Sequence, residues 1–212
     1  MNMRTIGLMS VAISVALTGA ARGTSLVNFD DAKAGTVPAG WMEGVTGKGK
    51  PVWAVRRDET APSKPNVLAQ NGAGTFPFCV LKDVSIADGF VGTKFKPISG
   101  KEDQAGGLIW RFKDKDNYYI SRANALEDNV TIYHTIKGSR QAFKNVDIKV
   151  ASGVWHTLRV EFKGSHFTVL FDGKRVLEAD DTKIQGPGAV GLWTKADSVT
   201  YFDDCSYGPL GS

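Results

Sequence analysis

Trp155-His156-Thr157-Leu158-Arg159-Val160-Glu161-Phe162 is followed closely by Phe167-Thr168-Val169-Leu170-Phe171 and, after Asp172-Gly173, by Arg175-Val176-Leu177. Apolar and polar residues alternate along these runs, which is the period of an extended chain with one buried face. Asp-Gly accepts the positive φ of a tight hairpin turn. The stretch therefore predicts consecutive antiparallel strands.

The same grammar extends toward the N-terminus. Gly107–Phe112 and Tyr118–Ala123 flank the polar turn Lys113-Asp114-Lys115-Asp116-Asn117, and Asn129–His134 follows the turn Leu126-Glu127-Asp128. Further short strands are expected at 27–29, 52–55, 66–69, 76–82, 89–96, 190–193 and 199–202. Residues 30–51 are rich in Gly, Ala and Pro and predict a loop anchored by Trp41, and no strand is assigned to residues 135–154. Strands alternate with turns and never with a helical pattern. That favours an all-β sandwich or barrel and argues against a parallel α/β sheet.

Composition agrees. The chain has 212 residues with 24 Gly, 11 Phe, 5 Trp and 5 Tyr. Turn formers and aromatics in this proportion suit short strands. The net charge of +4 is scattered, with no basic stripe of the kind a nucleic-acid reader presents, so no nucleic-acid partner is expected. Arg4, the apolar run Ile6–Leu17 and the small residues Ala16–Ala21 read as a signal peptide over residues 1–21, with no membrane span once it is cleaved. This predicts a periplasmic or extracellular domain over residues 22–207 and a flexible tail over 208–212. Two readings stay open for Cys79 and Cys205: a single bridge, or two buried thiols.

From Gly153, the Trp155-His156-Thr-Leu-Arg motif precedes Asp172-Gly173-Lys174, then Gly188-Ala-Val-Gly191-Leu-Trp193 and Tyr201-Phe202-Asp203-Asp204. Together these resemble the C-terminal half of concanavalin A-like, laminin-G-like sandwiches. With Gly107–Arg111 and Asn117-Tyr118-Tyr119-x-x-Arg122-Ala-Asn124, the chain resembles the 3-keto-disaccharide hydrolase domain family, whose neighbourhood often carries the label of family 16 glycoside hydrolases. The resemblance covers roughly residues 26–207. It implies a two-sheet antiparallel jelly roll with carbohydrate on its concave face. It also implies that one structural calcium ion could sit between the first and last strands, where Asp30 and Asp203 lie beside Asp31 and Asp204.

A retaining family 16 hydrolase needs carboxylates spaced along one strand face. The nearest match, Glu178-Ala179-Asp180-Asp181, lacks the third carboxylate and reads as solvated hairpin charge. The ligand face follows from register. With Phe112 opposite Tyr118, one face carries Leu108, Trp110, Phe112, Tyr118, Ile120, Arg122 and Asn124. If Asn124 faces Asn129, Thr131 and Tyr133 join it. Aromatics beside Arg and Asn suit a sugar, whose C–H faces stack on rings while polar groups fix hydroxyls.

Trp110, Arg122, Asn124, Asn129, Tyr133 and Trp193 are therefore the expected binding residues, with Arg111 in reserve and Lys195 extending the groove. Glu127 is the expected acid/base group if one exists. An equal alternative is that the rings of this face form a core row with Arg122 and Asn124 satisfied locally, and core packing is likewise an equal alternative for Trp193.

Three functions remain open. The first is a secreted carbohydrate-binding sandwich. The second is a hydrolase or lyase of 3-keto-glycosides, in which Arg122 or Arg111 steadies an enolate and Glu127 or His134 takes the proton. The third is an envelope protein-interaction module.

Overall fold

The computed structural model describes residues 23–210, so the expected signal peptide lies outside the described residues. The chain forms two antiparallel sheets packed face to face, the two-sheet jelly-roll sandwich that the sequence implies. Its strands are β1 (Ser25–Val27), β2 (Trp41–Lys50), β3 (Trp53–Arg57), β4 (Asn66–Gln70), β5 (Ala73–Leu81), β6 (Gly89–Ser99), β7 (Ala105–Asp114) and β8 (Asn117–Asn124). They continue as β9 (Asn129–Ile136), β10 (Ser139–Asp147), β11 (His156–Lys163), β12 (His166–Phe171), β13 (Lys174–Asp180), β14 (Ala189–Trp193) and β15 (Val199–Gly208).

The first sheet runs β13-β12-β11-β6-β15-β4-β3, with β1 also paired to β15. The second runs β10-β9-β8-β7-β14-β5-β2. No helix among the described residues is long and apolar enough to cross a membrane.

Between the sheets lies an aromatic core. Trp110 stacks on Tyr119 at 5.4 Å and meets Phe167 edge-on at 5.2 Å. Leu158, Val160 and Phe162, the alternating apolar set of β11, face this layer. The Asp172-Gly173 turn has φ of 48° and 76°, as its sequence predicts. His156 Nδ1 and Asp172 pair at 2.8 Å, and Asp172 also accepts the Thr157 N–H, so the hairpin tip is tied to the start of β11.

Three expectations need correction. Residues 30–51 are not all loop, because ten of them form β2 against β5. The glycines that suggested a loop permit close approach within a sheet: a Cβ on Gly44 would lie 2.4 Å from the Phe78 ring, and one on Gly49 would lie 2.2 Å from Gly74 Cα. β10 was not expected either. It is a polar edge strand whose alternation is broken by a bulge between Ala142 and Lys144, and it follows a turn with positive φ at Lys137 and Gly138. Finally, Gly208 pairs with Phe90, so the ordered sandwich extends one residue beyond the expected boundary at 207.

Cys79 and Cys205 are free and buried, one from each sheet. Burial pushes both thiols up, that of Cys205 to about 12.

Candidate functional site: the outer face of the second sheet

The face of the second sheet that points away from the core is set by one irregularity. In β7, Arg111 has φ 48° and the pairing shifts between Trp110 and Asp114. Gly188 lies against this bulge, where a Cβ would come within 2.5 Å of the Arg111 carbonyl carbon. The bulge places Phe112 on the same side as Ile109, while Leu108 and Trp110 turn into the core. Trp110 is therefore not a groove residue. The expected face was right for Phe112 and for β8, and wrong for β7 upstream of the bulge.

Beyond the bulge the register is regular. Asn124 pairs with Asn129, Arg122 with Thr131 and Ile120 with Tyr133. A continuous row then crosses seven strands: Gly44, Phe78, Trp193, Gly107, Arg122, Thr131 and Asn145. Gly107 lies between Trp193 and Arg122 in this row, and both side chains lean over it. A Cβ there would lie 3.2 Å from Arg122 Cβ and 3.3 Å from the Trp193 ring.

Along the strands this face changes character. At one end Phe78, Ile109, Phe112, Tyr118 and Ile120 form a second apolar cluster. Thr46, at the bend of β2, closes that end by hydrogen bonding to Tyr118 Oη at 2.7 Å and to the Lys115 carbonyl. Burial raises the Tyr118 phenol above its ordinary value, against the hydrogen bond with Thr46. That end is filled by protein.

The other end is polar. Arg122, only 3% exposed, donates to Asn129 Oδ1 at 2.7 Å and to Glu127 at 2.5 Å. Asn124 is a local brace: its amide donates to Asp103, and its carbonyl oxygen accepts the N–H groups of Leu126 and Glu127. Lys195 pairs with buried Asp103 at 2.5 Å. Burial opposes ionisation of Glu127, but Arg122, Asn129 and Lys195 outweigh it and hold the carboxyl below its usual range.

Arg122, Asn124, Asn129, Tyr133 and Trp193 are thus gathered on one side of the sheet. Trp193 lies beneath Phe76, ring on ring at 5.6 Å, and contributes a floor.

Two residues of this face were missed. Arg140 on β10 lies 4.3 Å from the Tyr133 ring, 4.5 Å from Phe76 and 5.3 Å from Trp193. Phe76 was placed on a strand but not on this face. The Lys137-Gly138 turn was the available signal for β10.

Arg111 and His134 lie elsewhere, with Tyr119 and Asp181. The Arg111 guanidinium donates to the carbonyls of Ile184, Ala87 and Gly164 and ties three loops together. His134 faces Asp181 at 3.4 Å, and Asp181 accepts the Tyr119 hydroxyl at 2.5 Å. A cleft of about 300 Å³, lined by Asp88, Arg111, Ser165 and Asp181, opens beside them. Arg122 with Glu127 and Arg111 with His134 therefore belong to separate clusters. Glu178 and Asp180 pair with Arg175 and His166 at the exposed hairpin, as solvated charges do.

The calcium expectation does not fit the residues present. Asp203 accepts the Ser63 N–H, the Ser63 hydroxyl and the Asp204 N–H. Asp30 accepts the Asn66 N–H. The Asp203 carboxylate is thus taken up by three donors of the chain, and one oxygen of Asp30 by a fourth. Among the described residues, no three acidic, His or Cys side chains are grouped to hold a metal.

The architecture defines a class: antiparallel jelly-roll sandwiches whose solved members include carbohydrate-binding modules and glucanases. The carbohydrate-binding module CBM66 from Bacillus subtilis superposes with a TM-score of 0.66 at 20% identity, over 80% of this chain and 95% of that one. A Bacillus licheniformis beta-glucanase superposes at 0.59 and 13% identity, over 88% of this chain and 98% of that one. A prokaryotic beta-1,3-1,4-glucanase (lichenase) from a mouse hindgut metagenome gives 0.57 and 14%, over 88% and 99%. These likenesses establish the fold. No protein-family profile matches the sequence, and no curated protein matches it.

Proposed function

We propose that the chain is a secreted, non-catalytic carbohydrate-binding domain whose ligand lies on the polar end of the second sheet's outer face. The observation that carries this reading is the union of rings and hydrogen-bonding groups on one face: Phe76 and Tyr133 beside Arg122, Asn129, Thr131 and Asn145. Rings offer a surface to sugar C–H groups, and the amides and hydroxyls orient the ring hydroxyls. The likeness in fold to a carbohydrate-binding module supports it.

The keto-glycoside hydrolase reading is the weaker one. Its proton acceptor would have to be Glu127, which Arg122 holds ionised in an ion pair and makes a weak base. The alternative pair, Arg111 with His134, is occupied with backbone carbonyls and Asp181. No observation favours a protein-interaction module over these.

The test is a binding screen by affinity electrophoresis and calorimetry against polysaccharides, with release of reducing sugar followed in parallel. The expected result is binding without release, weakened at least tenfold by Tyr133→Ala. Turnover, or binding that ignores Tyr133→Ala, would overturn the proposal.

A further inference from the structure

The charges on this face do not cancel. Arg122 is matched by Glu127, and Lys195 by Asp103. Arg140 has no ion-pair partner among the described residues; its Nη1 is sealed without an acceptor, which leaves the Nε and Nη2 edge as the part an outside group can reach. Instead its guanidinium is surrounded by Tyr133, Phe76 and Trp193.

Ring faces attract a cation but do not satisfy its N–H donors. A half-buried guanidinium with idle donors is costly, and the remedy is an acceptor from outside. The nearby Arg122 adds positive potential, since burial and then Arg122 both pull Arg140 down from its usual value.

We infer that the saccharide bound here is acidic and presents a carboxylate, as a uronic acid unit does, to Arg140. A planar carboxylate matches the Nε–Nη2 edge of the guanidinium with two parallel hydrogen bonds. The sugar ring attached to that carboxylate then lies beside Arg140 against the half-buried edge of Phe76, while Tyr133, buried beneath the guanidinium, holds Arg140 in place. Asn129 and Asn145, which border the same face, take its hydroxyls. One unbalanced cation calls for one negative charge per bound unit. The inference rests on the carbohydrate-binding reading and adds the ligand's charge to it.

The experiment is calorimetry with defined oligosaccharides: oligogalacturonate, oligomannuronate and oligoglucuronate, each beside its carboxyl-reduced counterpart. Neutral gluco-oligosaccharides and a sulfated oligosaccharide complete the set. Wild type is compared with Arg140→Met, which keeps bulk and removes charge, and with Tyr133→Ala. Thermal melts confirm that each variant is folded.

At least one uronate series should bind, lose tenfold or more on carboxyl reduction, and lose a similar factor in Arg140→Met. Equal binding of acidic and reduced sugars, or an Arg140→Met variant with unchanged affinity, overturns the acidic ligand and leaves the carbohydrate reading standing. Preference for the sulfated sugar overturns the carboxylate. Failure of every saccharide overturns both.

Discussion

Arg122 and Glu127 meet at 2.5 Å, the guanidinium almost sealed and the carboxylate 41% exposed. The contact ties β8 to the turn before β9 and holds a charge that would otherwise be stranded on the outer face of the second sheet. Glu127→Gln should therefore destabilise the domain by about 1–2 kcal/mol, the lower part of the range for a hydrogen bond to a charged group, because water screens the acid.

The same pair has a pH signature. The folded-state value of Glu127 lies below its ordinary one, so its stabilisation is present above about pH 4.3 and fades as pH falls through the lower folded value. Melting curves of wild type and Glu127→Gln should differ most near neutrality and converge in acid. A gap that widens in acid would contradict this assignment.

Gly107 separates Trp193 from Arg122, with little room to spare. Gly107→Ala should cost roughly 1–3 kcal/mol through overpacking and, on the proposed binding reading, should also weaken saccharide binding, because the two side chains it would displace lie on the proposed ligand face. Denaturant titration and calorimetry on the same variant read the two effects.

Trp110 and Tyr133 separate stability from binding. Trp110→Phe should lower stability by about 1–3 kcal/mol, since the ring is fully buried between the sheets, and should leave affinity unchanged. Tyr133→Ala, which truncates a ring that is also buried, should lower stability by about 2–4 kcal/mol and, unlike Trp110→Phe, weaken binding as well. A binding defect in Trp110→Phe would show that the bulge at Arg111 does not set the face as described.

Asp172 serves a turn with positive φ and accepts hydrogen bonds from His156 and the Thr157 N–H. Asn tolerates that backbone and keeps one acceptor, whereas Ala fits neither requirement. Asp172→Asn should stay within about 1 kcal/mol of wild type and Asp172→Ala should lose about 2–3 kcal/mol, as measured by urea unfolding.

The legible parts of this fold are those where alternation runs unbroken. β8 and β9 pair as their sequences predict, Asn124 against Asn129, because no bulge intervenes. β7 misleads because its bulge sits on Arg111, a residue with no intrinsic preference for positive φ. The bulge is imposed by packing against Gly188, 77 positions away in sequence.

β2 looks like a loop for a related reason. Its glycines answer to Phe78 and Gly74 on the neighbouring strand, and single-sequence patterns do not carry that neighbour. Arg140 escaped because an exposed edge strand needs no apolar face, so β10 leaves little period to read. The cations of the site could be counted in the sequence. Their pairing could not, since it depends on which side of the bulge each strand presents.

β15 lies inside the first sheet, hydrogen-bonded to β6 and β4 and flanked at one end by β1. This strand is thus the keystone of a sheet that joins β1, β3 and β4 from the start of the described chain to β6 and β11–β13. Until it arrives, β4 and β6 have no common neighbour and β1 has no partner. Such long-range pairing makes folding slow to begin. It also makes completion of the sheet depend on the ten residues of β15, so a truncation before Val199 should yield two unjoined half-sheets rather than a slightly smaller domain.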